Sequence, residues 1–176
     1  MDEIRLTVLI SGSGTNLQAV IDKIQSNQLQ PSARIVRVIS NRKDAYGLER
    51  AKLAGIPTVY HNLVKYKKAH PQTPEGIQTA REEYDAELAR LVLADSPALV
   101  VCLGFMHVLS TGFLQPLEEK GLKIINLHPA LPGAFNGVVS SLSACVYIHV
   151  YHSDMNRTPL NARTQPGNEG RLAKPA

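Results

Sequence analysis

A carboxamide and an imidazole stand two residues apart, Asn126 and His128, at the end of the apolar run Leu122-Lys123-Ile124-Ile125-Asn126-Leu127-His128. Side chains alternate along an extended strand, so the pair shares one side and Leu127 takes the other. Pro129 follows at once and ends the strand, because proline fixes φ and donates no backbone hydrogen bond. Two such groups where an apolar strand opens into a loop can polarise a carbonyl oxygen and handle a proton. The alternative is a strand end with two satisfied polar groups, and context has to decide between them.

Three further places are candidates for chemistry, the plain alternatives being a tight turn, ordinary core packing and a solvated helix arginine in turn. Gly12-Ser13-Gly14-Thr15-Asn16-Leu17 separates a β-rich run from an amphipathic one. Its glycines permit a tight turn with converging N–H groups, and the following helix start adds partial positive charge, which suits phosphate. Leu17 replaces the third glycine of the dinucleotide fingerprint, and no Gly-Lys-Ser/Thr follows, so neither NAD nor a P-loop nucleotide is indicated. Gly104-Phe105-Met106-His107-Val108-Leu109 offers exposed apolar groups and main-chain amides for a flat heterocycle. Arg81, on a long helical segment, can reach a ligand carboxylate. His61, His70, His149 and His152 lack ligand-like partners, no Cys/His/Asp cluster has metal spacing, and there is no Gly-x-Ser-x-Gly elbow.

These segments need elements to hold them. Strands are expected at Ile4–Ile10, Ala33–Ile39, Pro57–His61, Ala98–Leu103 and Leu122–Leu127, from β-rich apolar runs bounded by turn residues. Helices are expected from about Asn16 to before Pro31, over Ala45–Ala54, over Glu75–Asp95 with Ile77, Tyr84, Leu88, Leu91 and Val92 on one face, and over Thr111–Glu119. The polar connection Asn62–Pro74, with two prolines and Lys65, Lys67 and Lys68, reads as a loop or flap. Alternating strands and helices make an α/β, Rossmann-like fold: a mostly parallel sheet of order 3-2-1-4-5 with helices on both faces. Right-handed crossovers then bring the loops after strands one, four and five to one sheet edge. Those loops are Ser11–Asn16, Gly104–Leu109 and Asn126–Gly137, which favours the functional reading of Asn126 and His128.

Composition bounds the rest. At 176 residues with 44% hydrophobic content, the chain suits one globular domain. No apolar stretch reaches the roughly 18 residues of a membrane span, and no secretory leader is evident at Met1-Asp2-Glu3-Ile4-Arg5. Two cysteines, Cys102 and Cys145, make no disulfide framework, so the reading is cytoplasmic. The net charge is +4, and Arg157, Arg163, Arg171 and Lys174 outweigh Asp154 and Glu169 by two in the C-terminal stretch. No basic run with interleaved aromatics points to nucleic acid.

Leu9-Ile10-Ser11-Gly12-Ser13-Gly14-Thr15-Asn16-Leu17-Gln18, Ala45-Tyr46-Gly47-Leu48-Glu49-Arg50-Ala51, Gly104-Phe105-Met106 and Asn126-Leu127-His128-Pro129-Ala130-Leu131-Pro132-Gly133 together resemble the glycinamide ribonucleotide transformylase family. The resemblance covers roughly residues 4–137, and Ala130-Leu131-Pro132-Gly133-Ala134-Phe135 is most similar to the fungal branch. It implies formyl transfer from 10-formyltetrahydrofolate to 5'-phosphoribosylglycinamide in de novo purine synthesis, with no metal. By the same resemblance Asn126 and His128 are catalytic, and Gly14, Thr15 and Asn16 hold the substrate phosphate. Arg81, Met106, His107, Val108, Leu109 and Asn126 meet the folate, with His107 standing where the family often has arginine. The alternatives are a non-catalytic nucleotide- or folate-binding remnant, and a formyltransferase or deformylase with another acceptor.

The resemblance stops at Asn136-Gly137. The family continues with a helix, further strands and an aspartate that raises the pKa of the catalytic histidine; Asp154 has none of the surrounding pattern. The expected division is therefore a formyltransferase domain at 1–137, lacking its last strands, and a divergent disordered tail at 138–176. Within that tail Val138–Tyr151 could still form a strand or two. Such a switch implies a retained intron or shifted frame. Its corollaries are an uncovered sheet edge and weak turnover. Composition says nothing about oligomeric state.

Overall fold

A computed structural model describes residues 3–128 and, as backbone, the strand 147–150. In β1 (Ile4–Ile10) every residue from Leu6 onward is buried, because both faces of this strand are covered. Helix α1 (Thr15–Gln25) follows, with Leu17 and Ile21 buried and Val20 and Ile24 packed beside them at helical spacing. Then come β2 (Ala33–Ser40), α2 (Tyr46–Leu53) and β3 (Thr58–Tyr60). The chain continues through α3 (Leu63–Ala69), α4 (Pro74–Leu93), β4 (Leu99–Leu103), α5 (Thr111–Glu119), β5 (Lys123–His128) and β6 (Tyr147–Val150).

The sheet order is β3-β2-β1-β4-β5-β6, with β1 to β5 parallel as expected and β6 antiparallel to β5. Two apolar clusters sandwich it. On one face Leu9, Ile39, Val100, Cys102 and Ile124 meet Tyr84, Leu88 and Val92 of α4 and Phe113, Leu114 and Leu117 of α5. On the other, Leu6, Val8, Ile10, Val38 and Leu103 meet Leu17 and Ile21 of α1 and Leu48 and Ala51 of α2. Each fully buried Leu or Phe contributes about 1.5–3 kcal/mol, so the two clusters fix the strand order.

Helix α4 is held along a stripe of buried residues four apart, Gly76, Ala80, Tyr84, Leu88 and Val92, with Asp85 and Ala89 beside it. Its start is well specified: Thr73 Oγ1 accepts the Gly76 N–H at 3.2 Å and Pro74 takes the first turn.

Two expectations change. The connection Asn62–Pro74 is not all loop: α3 occupies Leu63–Ala69, capped by Asn62 Oδ1 accepting the Val64 N–H at 2.8 Å. Leu63 and Tyr66, one turn apart, pack against the α4 side of the core and fix the helix despite its three lysines. The sheet also does not end at β5. Ile125, Asn126, Leu127 and His128 pair with Val150, His149, Ile148 and Tyr147, so the edge expected to be bare is covered. That strand lies where the sequence allowed a strand or two; the 137/138 division and the remaining tail lie outside the described residues.

Candidate active site

All of β1 to β5 run the same way, and β1, β4 and β5 are adjacent, so their C-terminal ends share one edge. The sequence segments of interest therefore converge there. The loops after β1 and β4 touch directly: the Met106 N–H donates to Ser11 Oγ at 2.7 Å. Cys102 and Asn126 are register partners, which puts Asn126 two residues from the start of the β4 loop at Gly104.

Strand parity fixes the face. Leu127 packs with Leu103 on the α1 side, whereas Ile124 belongs to the α4 side. Asn126 therefore takes the α4 face, where α4 and the β4 loop also stand. Asn126 is half-buried. The side chain of His128 and residues 129–137 of the expected loop lie outside the described residues.

The turn after β1 is built by close approach. Gly14 has φ 71° and caps α1, and a Cβ there would meet Gly47 Cα at 2.5 Å. The Gly47 N–H donates to Gly12 O at 3.1 Å, joining α2 to the turn. Arg50 completes the brace: Nε donates to Ser13 O at 2.9 Å, a terminal nitrogen to Gln18 Oε1 at 3.2 Å, and its guanidinium lies 4.9 Å from the Tyr46 ring centroid. Thr15 and Asn16 are exposed at the start of α1. A rigid turn at a helix start, with a guanidinium behind it, has the charge and donor pattern an anion needs.

The β4 loop begins at Gly104, whose φ of 71° suits glycine alone. Met106 and Val108 are 83% and 76% exposed, large apolar groups facing outward on a loop fixed at both ends. His107 behaves differently from its neighbours. Its side chain is 8% exposed and turned inward, with Nε2 2.7 Å from Asp85 Oδ1. The His107 imidazole is thus spent inside the protein, and its main chain is what remains for a ligand, in keeping with the main-chain contacts expected of this loop. Leu109 is half-buried against the α4-side core.

Arg81 lies one helical turn before Asp85 on α4, so it stands beside this loop. It is half-buried and makes no ion pair among the described residues. Tyr84 and His61 stack behind the loop, with ring centroids 4.2 Å apart and planes at 17°. Burial lowers the His61 pKa, against a weaker opposing pull from its hydrogen bond to the Tyr84 carbonyl. Burial likewise holds the Tyr84 hydroxyl and the Cys102 thiol protonated, pushing the thiol up to about 12.

Asp85, His107 and Ser110 are the residue types of a hydrolytic triad, but Ser110 Oγ is buried with no hydrogen-bond partner. No base therefore stands within reach of that hydroxyl, and the trio joins a helix to a loop. Among the described residues no group of three or more His, Cys, Asp or Glu could hold a metal, and no helix is long and apolar enough to cross a membrane.

Sequence reasoning held Ser11, Gly47 and Arg50 within its loops and motifs but gave them no individual role, and it missed Asp85 altogether. Asp85 was legible in principle, as a carboxylate set between Tyr84 and Leu88 on the apolar side of α4. Ser11 continues the Thr7, Leu9 parity of β1 and is 2% exposed. The bracing role of Arg50 carried no local signal, because its partners lie 32 and 37 residues away.

Residues 4–147 match the family described as Formyl transferase. The chain is 56% identical over 133 residues to the phosphoribosylglycinamide formyltransferase of Schizosaccharomyces pombe, covering 76% of this chain and 62% of that protein. It is 43% identical over 139 residues to the Saccharomyces cerevisiae protein of the same name, covering 78% and 64%. Both are fungal, and the chain spans less than two thirds of either. Among solved structures, phosphoribosylglycinamide formyltransferase from Campylobacter jejuni superposes with a TM-score of 0.66 at 31% identity, over 89% of this chain and 78% of that one. With that sheet order, converging edge and match along its length, the chain belongs to the formyl transferase family.

Proposed function

We propose that this chain transfers the formyl group of 10-formyltetrahydrofolate to the amine of 5'-phosphoribosylglycinamide, a step of de novo purine synthesis leading to IMP, in the cytoplasm. The observation that carries the reading is the single edge on which a braced anion turn, an apolar loop and the Asn126 strand end meet. The partners are small molecules, not nucleic acid or a membrane.

Gly14, Thr15 and Asn16 take the substrate phosphate, with main-chain N–H groups at the α1 start and Arg50 behind them. The folate fits the other loop: Met106, Val108 and Leu109 offer apolar contact, the main chain at His107 offers hydrogen bonds, and Arg81 meets the carboxylate tail.

The substrate amine adds to the formyl carbon, negative charge grows on the formyl oxygen, and N10 leaves as it takes a proton. The Asn126 carboxamide and the His128 imidazolium donate to that oxygen, stabilising charge where it develops. His128 also supplies that proton and recovers the one the attacking amine sheds, since histidine exchanges protons nearest neutral pH. The step requires no metal and no covalent enzyme intermediate.

The test is a formyl-transfer assay on the full chain, paired with calorimetry for each ligand. Turnover that falls by about 10²–10⁴ in His128→Ala, with phosphate-ligand affinity retained, supports the assignment. Equal loss of both makes His128 structural. Binding of both ligands without turnover makes the chain a binding remnant instead.

A further inference from the structure

We propose that Asp85 is the positioning residue of the folate-side loop: its carboxylate straddles residues 107–110 and sets the direction in which Met106 and Val108 are displayed. The inference rests on the folate reading of that loop.

Asp85 is 0% exposed, and a buried carboxylate is tolerated when its oxygens accept hydrogen bonds. Both do. Oδ1 takes His107 Nε2 at 2.7 Å, and Oδ2 takes the Ser110 N–H at 2.9 Å. The two donors bracket Val108 and Leu109, so the carboxylate fixes both ends of that short segment. A third tie, from the Met106 N–H to Ser11 Oγ, holds the loop from the β1 side.

The imidazole is itself confined. The Tyr84 ring lies edge-on at 5.0 Å between centroids, Phe105 lies at 6.0 Å, and His61 stacks on the far side of Tyr84. With His107 anchored inward, the residues on either side, Met106 and Val108, face outward. A loop tied to the fold through the Met106 N–H, the His107 ring and the Ser110 N–H, with its apolar side chains left outside, is ordered before any ligand arrives. Mere joining of α4 to the start of α5 would need only the Ser110 bond. The second oxygen's bond to His107 is the part that serves the loop.

The experiment is calorimetry on the full chain with two probes, 5-formyltetrahydrofolate and 5'-phosphoribosylglycinamide. In Asp85→Asn one of the two acceptors becomes an NH2 group, which either strands the Ser110 N–H or forces the His107 ring into its other tautomer. The folate Kd is expected to rise roughly tenfold, the lower end of what losing an orienting hydrogen bond does at metal sites, while the phosphate-ligand Kd stays unchanged. His107→Gln, whose amide still reaches the carboxylate, should retain more folate affinity than His107→Ala. It keeps the test alive should the Asp85 variant fold poorly. Equal weakening for both probes, or unchanged folate affinity in D85N, overturns the proposal while leaving the folate reading intact. A wild-type chain that binds the phosphate ligand but not the folate overturns that reading, and the inference with it.

Discussion

Replacing Gly14 by alanine tests whether the turn after β1 is a site built by contact or only a bend. Two effects combine. Alanine at φ 71° sits in the left-handed region, at about 1–2 kcal/mol. Its Cβ would also lie 2.5 Å from Gly47 Cα, a backbone atom on α2 that cannot rotate away. Forcing an extra methyl into such a contact costs about 1–3 kcal/mol, so the total is about 2–5 kcal/mol. Gly55 supplies the control, because its φ is 70° and a Cβ there meets nothing within 4 Å. Gly55→Ala should therefore carry only the first cost. Urea unfolding of the two variants measures the difference; with m of about 1–3 kcal/mol/M, a gap of ~1 kcal/mol moves the midpoint by at least ~0.3 M. G14A should also weaken the phosphate ligand, since α2 can relieve the overlap only by shifting the turn. Equal midpoints for G14A and G55A would refute the contact argument, because backbone strain alone would then account for both.

Gly47→Ala is the reciprocal case without left-handed strain: its Cβ would meet Ile10 Cδ1 at 2.5 Å and Gly14 Cα at 3.1 Å, so a loss of about 1–3 kcal/mol is expected in the same urea assay. Stability should fall as pH drops from about 6.5, because burial sets the folded His61 pKa below its unfolded value and the unfolded chain takes the proton first. That contribution is fully present above the unfolded pKa and is lost as pH falls through the folded one; His61→Gln should flatten the slope between pH 7.5 and 5.5, and an identical slope would remove His61 as its cause. Asn62→Ala removes the α3 cap and should cost about 1 kcal/mol, seen as faster amide exchange confined to Leu63–Ala69. Leu88→Ala, deep under α4, should cost about 2–5 kcal/mol by thermal unfolding.

Periodicity made most of the fold legible. Runs such as Leu99–Leu103 and the stripe on α4 are long enough for burial to decide their state. Helix α3 escaped because its apolar signal is short, Leu63, Val64 and Tyr66 diluted by lysines, and packing of Leu63 and Tyr66 supplies what the sequence pattern lacks. Strand β6 is four residues in a stretch without clear alternation, and its pairing partner lies some twenty residues upstream. The tight turn after β1 was legible from its glycines, whereas the reason for Gly14 needed Gly47, which only the packing of α1 against α2 brings near. The inward anchoring of the His107 ring has no sequence signal, because nothing local says that Asp85 waits beneath it.

The buried His107–Asp85 pair carries the physics of the site. On the α4 face of the sheet the buried positions are apolar with few exceptions, and two of those, Ser11 at 2% exposure and Asp85 at 0%, both spend their oxygens on the same loop. A polar atom in such a place destabilises the fold unless its partner is held in position. The fold and the loop geometry are therefore one commitment: a sequence that keeps Ser11 and Asp85 buried can hold Met106, His107 and Ser110 in only a narrow range of positions. Loosening the loop leaves a carboxylate and a hydroxyl stranded in the core, so stability itself keeps the β4 loop beside the anion turn and the Asn126 strand end.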